Sequence, residues 1–150
     1  HHIFSKEELY ARYEIQLENY VKTIHIESLA MQDMVKKDFT PALFSYMSDL
    51  TEEVLQKKEL MPELPSSYEK DIISTLSTAS EEILTSLKAL DQSTSKAEAK
   101  EDALATAKYY HDKVLADMNT LRQAVDQAEA LIPGSYLPYP TYDELLFSLR

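Results

Sequence analysis

Cysteine is absent from these 150 residues, and glycine occurs once. Without cysteine there is no disulfide framework, no thiolate metal site and no thiol nucleophile. A single glycine is too few for a phosphate-cradling loop or a dinucleotide-binding turn, because backbone must approach those ligands closely at several points. These two absences argue against a self-contained nucleotide-binding enzyme. Basic residues are also scarce: 15 Lys and Arg against 26 Asp and Glu leave a formal charge of −11. Nucleic-acid backbones and anionic lipids are bound by an excess of Lys and Arg, so neither nucleic acid nor membrane is an expected partner. No apolar run approaches the roughly 20 residues a membrane span needs, and no charged-then-apolar leader opens the sequence. The apolar fraction of 44% is enough for a modest core, which argues against wholesale disorder. The expectation is a soluble, cytoplasmic, helical domain. A first residue of His rather than Met points to a processed or excised piece of a longer product.

Proline and the lone glycine punctuate the chain at Pro41, Pro62, Pro65, Pro133, Gly134, Pro138 and Pro140. The stretches between them lack strand-like alternation and carry apolar residues at helical period. We expect an all-α fold: an antiparallel bundle of three to four long helices over 1–132, followed by a Pro- and Tyr-rich tail over 133–150 with a short terminal helix. The first helix starts at a capping box, Ser5-x-x-Glu8, and runs to about Asp38. Leu9, Tyr13, Leu17, Tyr20, Ile24, Met31 and Val35 form its stripe. Ile15, Ile26 and Leu29 fall off that stripe, so the helix is apolar on two sides and is either sandwiched or missing a neighbour. At Thr40-Pro41 either a new helix starts, with proline in its first turn, or one helix continues with a kink; we favour the kink. Leu43, Met47, Leu50 and Val54 carry the second segment up to Pro62. A third helix opens at Ser66-x-x-Glu69 and shows Ile72, Leu76, Ala79, Ile83, Leu87 and Leu90. Asp91–Ser95 reads as a turn. A fourth helix begins at a third box, Ser95-x-x-Glu98, and extends to about Ile132. Ser135–Pro140 should be extended, and Thr141-x-x-Glu144 should cap the short helix Tyr142–Leu149.

Reactive constellations are hard to find. Di-metal sites in helical bundles use Glu-x-x-His pairs. Lys22 precedes His25 by three residues and Lys108 precedes His111, so the required glutamate is missing from both. The pair Glu14 and Glu18 has no such histidine to join. No Gly-x-Ser-x-Gly elbow occurs. Tyr109 and Tyr110 adjoin His111, but ordinary packing of one tyrosine and a rim position for the other accounts for them better than a proton relay. Met31, Met34 and Met118 sit at or near core spacing and read as filler. The aromatic tail residues Tyr136, Tyr139, Tyr142 and Phe147 are the best candidates for an interface with another domain or subunit, with packing against the bundle itself as the equal alternative. No residue of the chain is a candidate catalytic, cofactor or metal ligand.

Two stretches carry a family resemblance. The first is Phe4-Ser5-x-x-Glu8-Leu9-x-x-Arg12-Tyr13-Glu14-Ile15-x-Leu17-Glu18-x-Tyr20-x-Lys22, continuing through Ile26-Glu27 to Met31-x-Asp33-Met34. The second is Pro138-x-Pro140-x-Tyr142-x-x-Leu145-Leu146-Phe147. Both resemble the C-terminal region of type III glutamine synthetases, the long-subunit bacterial form. Leu137 departs from the pattern, since relatives often carry tryptophan there. The resemblance implies a parent enzyme that joins ammonia to glutamate with ATP and a divalent metal, Mg or Mn. The metal-ligating carboxylates and phosphate-binding arginines of such an enzyme lie in an upstream catalytic domain, and no such motif matches here. Residues up to about 25 resemble the end of that catalytic domain, and the rest resembles a type III-specific helical extension. The implied partners are the chain's own upstream catalytic domain and the other subunits of a ring-shaped homo-oligomer, with a role in assembly or regulation. The alternative is a free-standing helical interaction module with no enzymatic parent.

Overall fold

The computed structural model describes residues 5–97 and 102–138, and among these the regular structure is helical. Five α-helices are present: α1 Lys6–Met34, α2 Thr40–Leu60, α3 Ser67–Ala97, α4 Ala103–Tyr109 and α5 Leu115–Glu129. Two π-turns, Val35–Phe39 and Tyr110–Val114, link α1 to α2 and α4 to α5 without leaving helical backbone. The described chain therefore has three long helical stretches, 6–60, 67–97 and 103–129, arranged as an all-α antiparallel bundle. The short terminal helix expected at Tyr142–Leu149 lies outside the described residues.

Continuity at Pro41 has a clear physical basis. Proline has no N–H and crowds the carbonyl four residues back. The helix answers by widening the turn just before it: Thr40 donates to the Val35 carbonyl, five residues away, and both flanking residues keep α-helical dihedrals. The extra residue in this turn accommodates the ring. The expected kink or break is thus realised as a π-turn within a continuous helix. Burial recurs at spacings of three and four straight through it, at Ile24, Ser28, Gln32, Val35, Phe39 and Leu43, and again seven residues on at Leu50.

Helix ends agree with the sequence at some points and correct it at others. The Ser5 hydroxyl accepts from the Glu8 N–H at 3.1 Å, as the first capping box requires. Met61 is extended before Pro62, and its N–H closes α2 on the Lys57 carbonyl. The Ser95-Glu98 box, in contrast, is not a helix start. Residues 91–95 are helical, and α3 runs on to Ala97. Ser93 and Thr94 donate their hydroxyls to the Leu90 carbonyl at 3.1 and 2.7 Å, which removes their competition with the helix. The true cap is Asp102, whose carboxylate accepts from the Ala105 N–H at 2.7 Å. Near the end, Gly134–Tyr136 is a 3₁₀ turn rather than extended chain, closed by Tyr136 N–H on the Pro133 carbonyl.

The chain forms two compact units. One contains residues 1–32 and 86–121. Its core comprises Ile24, Leu87, Leu90, Ala97, Ala107, Tyr110, Val114, Met118 and Leu121. The other contains residues 33–85 and 122–150, with Val35, Phe39, Ala42, Leu43, Leu50, Leu76, Ile83, Ala124, Val125, Ala128 and Ile132 buried. Met118 is buried as expected, whereas Met34, also expected near the core, is 42% exposed. Leu43→Ala should destabilise the fold by about 2–5 kcal/mol, the usual cost of truncating a fully buried leucine. Leu55→Ala, at a position 60% exposed, should stay within about 0.5 kcal/mol. Urea unfolding of the two variants checks the contrast.

Candidate functional site

The polar chemistry of the first unit is concentrated in a buried seam. Ser28 and Gln32 of α1 lie on the stripe that buries Ile24 and Val35, so two polar side chains occupy core positions. Ser93 and Thr94 of α3 are buried as well. Ser28 and Thr94 hydroxyl oxygens stand 2.8 Å apart, and Gln32 Nε2 donates to Ser28 Oγ at 3.2 Å. Each hydroxyl has one proton, and Thr94 spends its own on the Leu90 carbonyl. Ser28 must then donate to Thr94. The result is a one-way series, from Gln32 N–H to Ser28, to Thr94, to the Leu90 carbonyl. Satisfied in this way, buried hydroxyls cost little and fix which residues face each other.

Two tyrosines complete the seam. Tyr110, the first residue of the second π-turn, is buried and places its hydroxyl 2.9 Å from His25 Nδ1, with the rings edge-on at 6.2 Å between centroids. Tyr109 donates to the Ser93 carbonyl at 2.9 Å. Tyr110 is buried and Tyr109 part-buried, one packed and one nearer the rim as the sequence suggested, and both hydroxyls find partners. His111, the histidine adjacent to them in sequence, is exposed and pairs with Asp112 at 3.0 Å. The structure therefore joins Tyr110 to His25, not to His111. Ser28, Gln32, Ser93 and Thr94 were not singled out from the sequence. The signal was present as a gap: Ile24, Ser28, Gln32 and Val35 keep helical spacing while the middle two are polar. Among the described residues, no group of three His, Asp or Glu side chains is placed to hold a metal ion.

Thr94→Val should destabilise by about 1–3 kcal/mol, because it strands the buried Ser28 hydroxyl. Adding Ser28→Ala should cost less than the sum of the two single changes, since the stranded group is removed with its partner. A double-mutant cycle in urea measures the coupling, and strict additivity would exclude it.

In the second unit, Tyr136 is the only tail candidate within the described residues; Tyr139, Tyr142 and Phe147 lie outside them. Tyr136 folds back on α2. Its ring packs against Tyr46 with centroids 5.0 Å apart, and its hydroxyl donates to the Asp49 carboxylate at 2.5 Å. Leu137, next to it in sequence, is buried. The hydrogen bond to Asp49 raises the Tyr136 phenol above its ordinary value, with desolvation adding to it. A raised phenol stabilises the fold below the ordinary tyrosine range and loses that contribution as pH climbs through the folded value. Asp49→Asn should therefore bring Tyr136 ionisation to lower pH, readable by NMR titration of the ring carbon that bears the hydroxyl.

The connection between α2 and α3 is held by charge. Lys57 pairs with Glu69 at 2.5 Å, and Glu69 is only 15% exposed. That carboxylate is committed to Lys57, not visibly to the second capping box expected from the sequence. The hydrogen bond from Lys57 holds the Glu69 carboxyl below its usual value. The sign follows: the contribution is present above the unfolded carboxylate range and is lost as pH falls through the depressed value. Lys57→Met should therefore flatten the acid limb of the stability profile, as followed by helical circular dichroism.

Residues 1–58 match a family model described as the glutamine synthetase C-terminal domain. The chain is 53% identical to a glutamine synthetase of Butyrivibrio fibrisolvens, over 100% of this chain and 21% of that protein. It is 29% identical to a glutamine synthetase of Bacteroides fragilis over 97% of the chain and 21% of the relative. With a type-3 glutamine synthetase of Dictyostelium discoideum the identity is 28%, over 97% of the chain and 20% of the relative. The chain thus spans about a fifth of the length of the curated relatives it matches. Matched along its length by these enzymes, and over its first helices by the domain that ends them, the chain belongs to the glutamine synthetase family as a C-terminal region.

Proposed function

We propose that this chain is the non-catalytic C-terminal helical domain of a type III glutamine synthetase and serves assembly or regulation of the enzyme. The observation that carries the proposal is similarity along the full chain to proteins roughly five times its length. In this reading the parent ligates ammonia to glutamate with ATP and Mg or Mn, and those groups are held upstream. The scarcity of glycine, from which a phosphate-cradling loop is built, supports that placement. Residues up to about 25 then serve as the end of the catalytic domain and the remainder as the type III extension, working in the cytoplasm as part of a homo-oligomer. The Pro- and Tyr-rich segment after residue 132 contributes through Tyr136, Tyr139, Tyr142 and Phe147. Tyr136 acts from a position already fixed on α2. The structure contains no helix long and apolar enough to cross a membrane among the described residues.

Deleting residues 26–150 from the full-length synthetase tests the proposal. The expected result is an assembly of reduced mass by light scattering, with the catalytic groups still present and residual turnover measurable. An oligomer of full mass with unchanged kinetics would exclude the assembly role. Calorimetry of the isolated chain should show no binding of ATP, and micromolar binding would overturn the non-catalytic assignment.

A further inference from the structure

We infer that the first turns of α1 are the seat for the polypeptide that precedes this region in the full-length synthetase, and that the occupant brings apolar side chains together with a Lys or Arg. This deepens the functional reading above and rests on it. The first observation is a gradient of burial along one helix. All of the fully buried residues of α1, Ile24, Ser28 and Gln32, lie in its second half. The same apolar stripe continues towards the N-terminus through Tyr20, Leu17, Tyr13 and Leu9, and its cover thins: Leu17 is part-buried, Tyr13 is 48% exposed, Leu9 53% and the neighbouring Tyr10 64%. Leu104 of α4, 54% exposed, joins them. Apolar surface gathered in one place is a mark of an interaction site, whereas single exposed residues are not.

The second observation is a cleft of about 320 Å³ in this same place, lined by Tyr10, Tyr13, Glu14, Leu17, Ala103 and Leu104 with Asp102. Its walls are two phenol rings and two carboxylates. Asp102 is engaged in capping α4, while Glu14 takes part in none of the ion pairs among the described residues. Aromatic faces beside a carboxylate favour a cationic side chain.

The choice of occupant follows from length and charge. The matched relatives have about four fifths of their length outside this region, and the matching domain is their C-terminal one. The partly open turns belong to the helix nearest to that preceding polypeptide. A second copy of this chain is disfavoured, because a two-fold contact would set the acidic cleft against its own carboxylates.

The absence of cysteine makes a direct test available. Leu9→Cys and Tyr13→Cys are introduced separately, and thiol labelling of the peptide is followed by mass spectrometry. Both positions are largely exposed, so folding should be little affected. The expected result is labelling at least about tenfold slower in the full-length synthetase than in the isolated chain, the protection of a side chain withdrawn into packing. That protection should persist after the oligomer is dissociated into folded subunits. Glu14→Lys in the full-length enzyme should restore much of the labelling rate. Equal rates in the isolated chain and the full-length enzyme would overturn the seat. Protection lost on dissociation would assign the face to a neighbouring subunit and overturn the stated occupant. Protection indifferent to Glu14→Lys would overturn its cationic anchor. The deletion experiment above is separate: a deletion that leaves the assembly at full mass removes the assembly role, while protected thiols at 9 and 13 would still establish the seat.

Discussion

The loss of one backbone donor at Pro41 is the constraint on which the long first helical stretch depends. A helix that ended there would be free to turn, and its apolar stripe would not have to continue. The π-turn Val35–Phe39 prevents this. By moving the Thr40 donor to the Val35 carbonyl, it makes room for the ring and keeps the backbone helical on both sides. Burial therefore passes from Val35 and Phe39 to Leu43 and Leu50 without a change of face. A break at the same point would have left either the Ile24 side or the Leu50 side without its packing. The second π-turn does related work. It begins at Tyr110, and the buried hydroxyl of that residue reaches His25.

Hydrophobic burial alone would let helices of this kind slide by a turn, since leucine and alanine at heptad-like spacing pack equally well one turn up or down. The Ser28–Thr94 hydrogen bond between α1 and α3 restrains that freedom in the first unit. A slip would leave the buried Ser28 hydroxyl without its acceptor, at a cost of about 1–3 kcal/mol. The corresponding restraint in the second unit is electrostatic and lies at its surface, in the Lys57–Glu69 pair and the Tyr136–Asp49 hydrogen bond. The Tyr136–Asp49 contact is exposed and the Lys57–Glu69 pair part-buried, and both hold connecting segments in place.

Much of this fold was legible in the sequence because it rests on long periodic patterns. The all-α class, the Ser5 cap, the stop before Pro62 and the core positions Ile24, Val35, Leu43, Leu50, Leu76 and Ile83 follow from spacing and from the chemistry of proline and serine. What was not legible turned on residues whose local and tertiary roles conflict. The segment Asp91–Ser95 has turn composition, yet it is helical, because Ser93 and Thr94 bond back to Leu90 and are buried. Ser95 with Glu98 has the form of a capping box, but the helix that would have begun there was already under way. The real cap, Asp102, is followed three residues on by Ala105 and so lacks that signature. Tertiary packing overrode local preference in each case. For the candidate tail, Tyr136 illustrates the same limit: composition marks it as a contact residue, and only its geometry assigns that contact to Asp49 and Tyr46.

The family resemblance was legible in the sequence through apolar and aromatic side chains held at helical spacing. Recognition between pieces of a large assembly needs apolar side chains held on a rigid support, and α1 supplies these in plenty. Leu9, Tyr10 and Tyr13 are 48–64% exposed, and each lies on or beside the stripe that buries Ile24 further along. In a stand-alone bundle they would be a liability for aggregation. Their presence at the start of the helix, together with full burial further along it, is therefore best understood as one continuous packing surface. This chain buries the second half of it against its own helices and leaves the first turns partly open.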